Sequence, residues 1–237
     1  MLNAENQEPL YIQLKKALQA AILNDTYQQG EKIPTEPELS EQYNVSRITV
    51  RKAVEELVKE GYLIKQQGKG TFVHRPKIDR KIEHVMGFTA ACEANGFSSH
   101  SEVTKKELIQ ADAGLREALQ LGENEQVIYI QRKRYAGDHP LMLENNYYPF
   151  NRYSFLLDEP LEGSLYDLLR EKYDIHPDQS GKTTLEIVLA DEDQAKVLET
   201  SIGKPLFYMN TLIYDQEGRP VHVGKQYIIG DRYQFTL

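Results

Sequence analysis

Apolar residues in the early part of the chain recur at helical spacing, whereas later they alternate more often with the two-residue period of strands. Leu10, Leu14, Ala17, Leu18, Ala21 and Ile22 follow i, i+4, i+7 and i+8 spacing, so Pro9 to Leu23 reads as a first helix, with Pro9 suited to its start. Asn24 to Lys32 is a polar loop. In Thr35-Glu36-Pro37-Glu38 a threonine precedes a glutamate by three residues, a capping-box pattern that predicts a short helix running through Leu39 to Tyr43. Asn44-Val45 turns into a third helix, capped by Ser46 and stopped at Gly61. Its stripe of Val50, Ala53, Val54, Leu57 and Val58 must pack on something, which leaves Arg47, Ile48, Arg51, Lys52 and Lys59 on the other side. Beyond Gly61 the pattern becomes that of a hairpin, Tyr62 to Gln66 and Thr71 to His74 around Gln67-Gly68-Lys69-Gly70, whose glycines permit positive φ.

The remainder alternates strands with shorter helices. Helices are expected at 85–96, closed by Asn95-Gly96, at 112–121, ending at Gly122, at 164–173 and at 191–198. Strands are expected at 100–109, 126–135, 141–148 and 182–189, with a closing hairpin of 205–214 and 220–229 around Asp215-Gln216-Glu217-Gly218. Strands dominate and the last two are hairpin-connected, so this part is α+β on a mostly antiparallel sheet. Residues 74–80, short, charged and containing Pro76, suit a linker between a domain at 1–73 and another at 81–237.

Charge sharpens the division. The net charge of −8 is carried by the second part: residues 1–78 hold 11 Lys and Arg against 10 Asp and Glu, and residues 79–237 hold 17 against 26. Within the first part, residues 43–77 hold 8 basic and 3 acidic residues, a local excess that attracts nucleic acid on an otherwise acidic chain. On the third helix the positive residues occupy the first two turns, while Glu55, Glu56 and Glu60 fall in the last ones. Only the beginning of that helix can approach a polyanion comfortably, as the recognition helix of a helix-turn-helix does. The alternative reading of Arg47, Arg51 and Lys52 is an ordinary solvated face. A single cysteine, Cys92, excludes an internal disulfide and fits a reducing cytosol. With no signal segment and no apolar run long enough to cross a bilayer, the chain is expected to be cytoplasmic, with no membrane partner.

Lys32-Ile33-Pro34-Thr35-Glu36-Pro37-Glu38-Leu39, Val45-Ser46-Arg47-Ile48-Thr49-Val50-Arg51-Lys52-Ala53 and the run from Gly61 to Val73 together resemble the winged helix of GntR-family bacterial transcription regulators. The resemblance implies that Arg47 reads a base edge, that Ser46, Thr49 and Arg51 help anchor the recognition helix, and that Lys69 with Gly70 probes the minor groove. Thr35, capping the preceding helix, completes the candidate DNA-binding set. The family often has arginine where this chain has Pro37, so no contact is carried over to that position. Residues 81–237 resemble the effector-binding domain of the HutC subfamily, which shares its fold with chorismate lyase. The implied architecture is an N-terminal winged helix-turn-helix joined to a chorismate-lyase-like effector domain.

Arg132 and Arg134, two apart on a strand, point to one face, and their planar forks suit phosphate or carboxylate. The alternatives are an exposed basic face or pairing with acidic neighbours; the resemblance favours an anionic effector. Thr89 and Ser164 sit at helix beginnings, where hydroxyls and free N–H groups hold anions or simply cap the helix. Tyr166 offers a hydroxyl or packs. Glu144 alternates with apolar neighbours and would select an amine or sugar hydroxyls, or neutralise the arginines in the empty protein. The resemblance also places Tyr227 in the pocket and leaves His222 ambiguous.

No metal-ligand cluster, Walker loop, dinucleotide fingerprint or nucleophilic constellation is visible, and no cofactor is expected. Two functions compete, beside a third reading, a DNA-binding protein that has lost its ligand. One is a repressor, not an enzyme, that binds double-stranded operator DNA as a homodimer on an inverted repeat and is released by a small phosphorylated metabolite, a sugar phosphate or amino-sugar phosphate. The other is a chorismate-lyase-type enzyme with an accessory DNA-binding domain. Both need arginines and a glutamate in the pocket, but a lyase has no use for a basic recognition helix.

Overall fold

The structure, a computed structural model, describes residues 8–23, 26–74, 77–82 and 85–236. The chain divides into two compact units, Met1–Pro76 and Lys77–Leu237.

In the first unit α1 (Leu10–Leu23), α2 (Glu36–Tyr43) and α3 (Arg47–Lys59) enclose a core of Leu14, Leu18, Ile22, Leu39, Val50, Ala53, Val54 and Leu57. Each of the larger apolar side chains contributes about 1.5–3 kcal/mol when fully buried. Apart from Leu39 of α2, these are among the positions that helical spacing assigns to the inner stripes of α1 and α3, of which Ala17, Ala21 and Val58 are only partly buried. Between α2 and α3 Asn44 adopts φ 52°, a left-handed conformation that asparagine tolerates, and this lets α3 start almost at once. Ser46 caps α3 by accepting the Thr49 N–H at 3.1 Å. The hairpin of β1 (Leu63–Gln66) and β2 (Gly70–Val73) is antiparallel, with Gly68 at φ 74° and Gly70 at φ 130°. The loop before α2 is less irregular than its polarity suggests. The Ile33 N–H donates to Thr71 O, and the Val73 N–H to Glu31 O, so residues 31–33 line the free edge of β2. Asn24 and Asp25, within the expected loop, lie outside the described residues.

The second unit begins with β3 (Ile78–Lys81) and α4 (Phe88–Ala94). It continues through β4 (Ser99–Gln110), α5 (Ala113–Leu119), β5 (Gln126–Ala136), β6 (His139–Pro149), α6 (Phe150–Tyr153) and α7 (Leu165–Tyr173). It closes with β7 (Gln179–Leu189), α8 (Glu192–Val197), β8 (Pro205–Tyr214), β9 (Pro220–Ile229) and β10 (Tyr233–Thr236). Six strands make one antiparallel sheet in the order β4-β5-β6-β9-β8-β7, as alternation and the closing hairpin predict. Among the described residues no helix is long and apolar enough to cross a membrane.

The expected linker differs from the structure. Arg75 and Pro76 lie outside the described residues, but Ile78, Asp79 and Arg80 belong to β3, which pairs in parallel with β10 at the far end of the chain. Ile78 and its opposite number Tyr233 are both buried. A four-residue strand whose partner is so distant in sequence carries no local period, and its charged residues read as a tether. The helix expected from residue 85 starts at Phe88, with Gly87 as its N-cap.

Register fixes which side chains share a face of the sheet. Arg132 pairs with Glu144, Glu144 with Gln226, Gln226 with Met209, and Met209 with Leu185, forming one row across five strands. One residue along, Lys133, Leu143, Tyr227, Tyr208 and Glu186 form the adjacent row. Successive residues point to opposite faces, so the two rows lie on opposite sides.

Candidate functional site

Two polar surfaces carry the chemistry, one in each unit. On the first, Arg47, Ile48 and Arg51 project from the N-terminal half of α3 into solvent. Arg51 Nε lies 3.3 Å from the exposed-side carboxylate of Glu36, a pair of little energetic consequence. The Ser46 and Thr49 hydroxyls bond to each other at 2.8 Å. The Lys52 ammonium is drawn aside, 3.7 Å from the centre of the Tyr11 ring. The Thr35 hydroxyl is exposed and donates to Glu38 Oε2, holding the first turn of α2. Lys69 stands exposed at the hairpin tip. Gly70, at φ 130°, holds a backbone conformation that side chains disfavour, and the movable end of the Lys32 side chain lies over it.

On the second unit a cavity opens between the sheet and the starts of α4 and α7. Thr89, Arg132, Arg134, Glu144, Ser164 and Tyr166 all line it. Its centre is a buried ion cluster. Glu144 Oε2 accepts from Arg132 Nε at 2.8 Å, from Arg132 Nη2 at 2.5 Å and from Arg134 Nη1 at 3.2 Å. Arg132 also donates through Nη1 to the carbonyls of Leu161 and Gly163, both at 3.2 Å, and so fixes the loop that delivers Ser164. Ser164 Oγ in turn accepts the Asp167 N–H and caps α7. Arg134 Nη2 donates to Thr89 Oγ1 at 3.0 Å and its guanidinium lies over the Phe88 ring. The capping reading therefore holds for Ser164, whereas the Thr89 hydroxyl lies inside the first turn of α4, whose N-cap is Gly87, and is engaged by Arg134.

The electrostatics follow from burial. Burial, with the charge of Arg132 beside it, brings the Arg134 guanidinium down to about 10. Burial works against ionisation of Glu144, but the two guanidiniums outweigh it and hold its carboxyl at about 2. Arg134 Nε is buried without a protein partner. Such a cluster is costly to desolvate, and its two guanidiniums carry one charge more than the single carboxylate neutralises.

Tyr227 is the exception among the expected residues. It lies in the row of Lys133 and Leu143, its ring 5.0 Å from that of Tyr208, on the face away from the cavity. Its neighbour Gln226 occupies the cavity instead. His222 sits behind the cavity wall, buried, with Nε2 3.0 Å from the Tyr166 hydroxyl, and burial brings it down to about 4. Residues not anticipated as lining are Arg80, whose Nη1 reaches Gln226 Oε1 at 3.5 Å, together with Ser180, Thr183, Met209 and Thr211. Alternation along β8 and β9 marks one face of each strand, but does not say which face meets the arginines.

A basic winged helix-turn-helix and a separate sheet domain holding an ion-paired cavity define a DNA-binding regulator with a ligand-holding domain. Residues 10–73 match the gntR family of bacterial regulatory proteins and residues 94–234 match the UTRA domain. The chain belongs to the gntR family, with a UTRA domain as its effector domain. It is similar to the HTH-type transcriptional regulator YurK of Bacillus subtilis, 36% identical over 100% of this chain and 98% of that protein. A protein of Shigella flexneri named as the probable fructoselysine utilization operon transcriptional repressor is 38% identical over 96% of this chain and 93% of its own length. Among solved structures, PhnF from Mycobacterium smegmatis superposes with a TM-score of 0.67 at 28% identity, covering 94% of this chain and 96% of that one. The protein is accordingly a ligand-responsive transcriptional repressor and not an enzyme.

Proposed function

We propose that the protein acts in the cytoplasm as a homodimer on an inverted-repeat operator and is released from it by a small sugar phosphate or amino-sugar phosphate. The observation that carries the reading is the charge balance of the cavity, where Arg80, Arg132 and Arg134 face a single carboxylate, Glu144. The surplus of two positive charges suits a phosphate dianion, and the hydroxyls of Thr89, Ser164 and Tyr166 suit its remaining oxygens. Sugar chemistry is supported by the relatives named for fructoselysine utilization and for mannosyl-D-glycerate transport and metabolism. Glu144 and Gln226 supply acceptors for an amine or for ring hydroxyls. On the DNA side Arg47 reads a base edge, Ser46, Thr49 and Arg51 anchor α3, and Lys69 with Gly70 enters the minor groove, while Thr35 holds α2 in place. The dimer is supported by the edge strand β7, which leaves Leu185, Ile187 and Leu189 exposed along one side.

The switch follows from where Arg80 sits. It lines the cavity on β3, within a few residues of the boundary at Pro76 and Lys77. An anion that pulls Arg80, Arg132 and Arg134 toward itself, and the helix starts with them, shifts the segment that leads into the DNA-binding unit. A hundredfold change in operator affinity asks for only about 3 kcal/mol of differential binding.

The test is a thermal-shift screen of glucosamine 6-phosphate, glucose 6-phosphate, inorganic phosphate and an aromatic carboxylic acid, followed by release of a labelled operator. A sugar phosphate is expected to raise the melting temperature and release DNA. Arg134→Ala should keep operator affinity within about twofold and need more than tenfold more ligand for release. Release of that variant at the parent's ligand concentration overturns the anion site.

A further inference from the structure

We infer that Ile48 reads the C5 methyl group of a thymine in each operator half-site. The inference rests on α3 entering the major groove, and it adds a base identity that the basic residues do not supply. Ile48 is 79% exposed, the most exposed large apolar side chain among the described residues. It lies in the first turn of α3, where the inner stripe of Val50, Ala53, Val54 and Leu57 is already complete without it. An isoleucine adds nothing to helix propensity at such a position, where alanine, lysine or arginine would serve the isolated domain better. Its surroundings explain the placement. Arg47 precedes it and Arg51 follows one turn later on the same outward side, while Lys52, the next residue on that side, is drawn over the Tyr11 ring. The hydroxyls of Ser46 and Thr49 are turned on each other. Ile48 is therefore an apolar point between two guanidiniums, at the end of the helix that carries the positive charge.

Duplex DNA offers one apolar group of matching kind in the major groove. Thymine presents a C5 methyl there, and apolar side chains contact it, whereas guanidiniums pair with guanine edges or phosphates. The β-branched side chain is stiff about χ1, so its methyl groups are held in place before binding and little rotamer freedom is lost on contact. Arg47 and Arg51 set the helix against guanine and phosphate, and Ile48 adds the requirement for a methyl group beside them.

The experiment begins by selecting duplexes from a random pool with the full chain. Each thymine of the selected half-site is then replaced singly by deoxyuridine, which removes the methyl and leaves base pairing intact, and dissociation constants are measured at fixed salt. One thymine per half-site is expected to matter, its replacement weakening wild-type binding about three- to fivefold. Ile48→Ala should bind the selected duplex correspondingly less tightly and lose the preference for thymine over deoxyuridine at that position alone. Ile48→Val, which keeps part of the apolar surface, should fall between. The side chain is exposed, so neither variant should melt appreciably below the parent, separating loss of reading from loss of folding. A selected half-site without thymine, deoxyuridine neutral at every position, or an unchanged thymine preference in Ile48→Ala each overturns the proposal. Because wild-type operator binding is measured in the same series, failure of DNA binding itself is distinguishable from failure of the methyl contact.

Discussion

Each of the two units holds arginines against a glutamate, yet the pairs live in opposite solvents. The Arg51 side chain keeps 62% of its surface in water and its partner Glu36 lies at 3.3 Å; Arg132 keeps 2% and is clasped by Glu144. In the first pair water screens the attraction, so the guanidinium leaves its partner at little cost when a polyanion arrives. In the second, the removal of three charged groups from water is offset by their mutual pairing and by the bonds from the arginines to the Leu161 and Gly163 carbonyls and the Thr89 hydroxyl, and a change in one partner is felt by all. An exposed arginine suits a large external ligand that brings its own charge; a buried pair suits a small ligand that must displace what is already there.

The largest expected effect tests that contrast directly. Glu144→Gln leaves two guanidiniums buried without a counter-charge and should lower stability by about 3–5 kcal/mol, read as the shift of a urea unfolding midpoint. Inorganic phosphate should restore part of the loss. Glu36→Gln should cost less than about 1 kcal/mol, most of it absent at high salt. Equal losses in the two variants would mean that burial does not distinguish the sites.

A second effect uses acid. His222 takes up its proton at about 4 in the folded chain because it is buried, against an ordinary value of 6.5. The unfolded chain binds that proton first, so the group's contribution is fully present above pH 6.5 and is lost as pH falls from 6.5 toward 4. The total is about 3 kcal/mol. His139, also brought to about 4 by burial and by Arg232, acts in the same window. Glu144, held at about 2, loses its contribution only below about pH 4.5. His222→Gln should therefore flatten part of the decline in melting temperature between pH 6.5 and 4 and leave the steeper fall below it. An unchanged slope would place His222 in contact with water.

The contrast in exposure also explains what could be read from the chain. The outward face of α3 is legible because a helix repeats within a few residues, and because its apolar stripe and charged side are both written locally. Thr89, Arg132, Arg134, Glu144, Ser164 and Tyr166 were legible as candidates through residue type and strand parity, helped by the resemblance of the chain to its family. Arg80 was not. Its strand is four residues long and gains its partner only when β10 returns, so nothing near it in sequence distinguishes it from a tether. Tyr227 and Gln226 show the same limit within a well-formed strand. Alternation says that one of them faces the cavity, but the choice depends on how β9 lies against β6. That register is set by packing across the sheet, and bulges at Arg134/Tyr135 and Ile213/Tyr214 shift it further in the neighbouring pairs.

The smallest expected effect falls on that choice of face. Tyr227 lies opposite Leu143 and Tyr208 on the far side of the sheet from Glu144, with no reach to the cavity except through the backbone. Tyr227→Phe should leave the ligand concentration for operator release within about twofold and stability within about 0.5 kcal/mol, since only the hydroxyl of a partly buried side chain is lost. Gln226→Leu, one residue away, removes the acceptor that Arg80 Nη1 approaches and puts an apolar group into the cavity, so more ligand should be needed for release. A slip of one residue in the pairing of β9 with β6 would exchange the two results, because it turns every side chain of the strand to the other face. The pair of variants thus measures the register of the sheet through the ligand, independently of what the ligand proves to be.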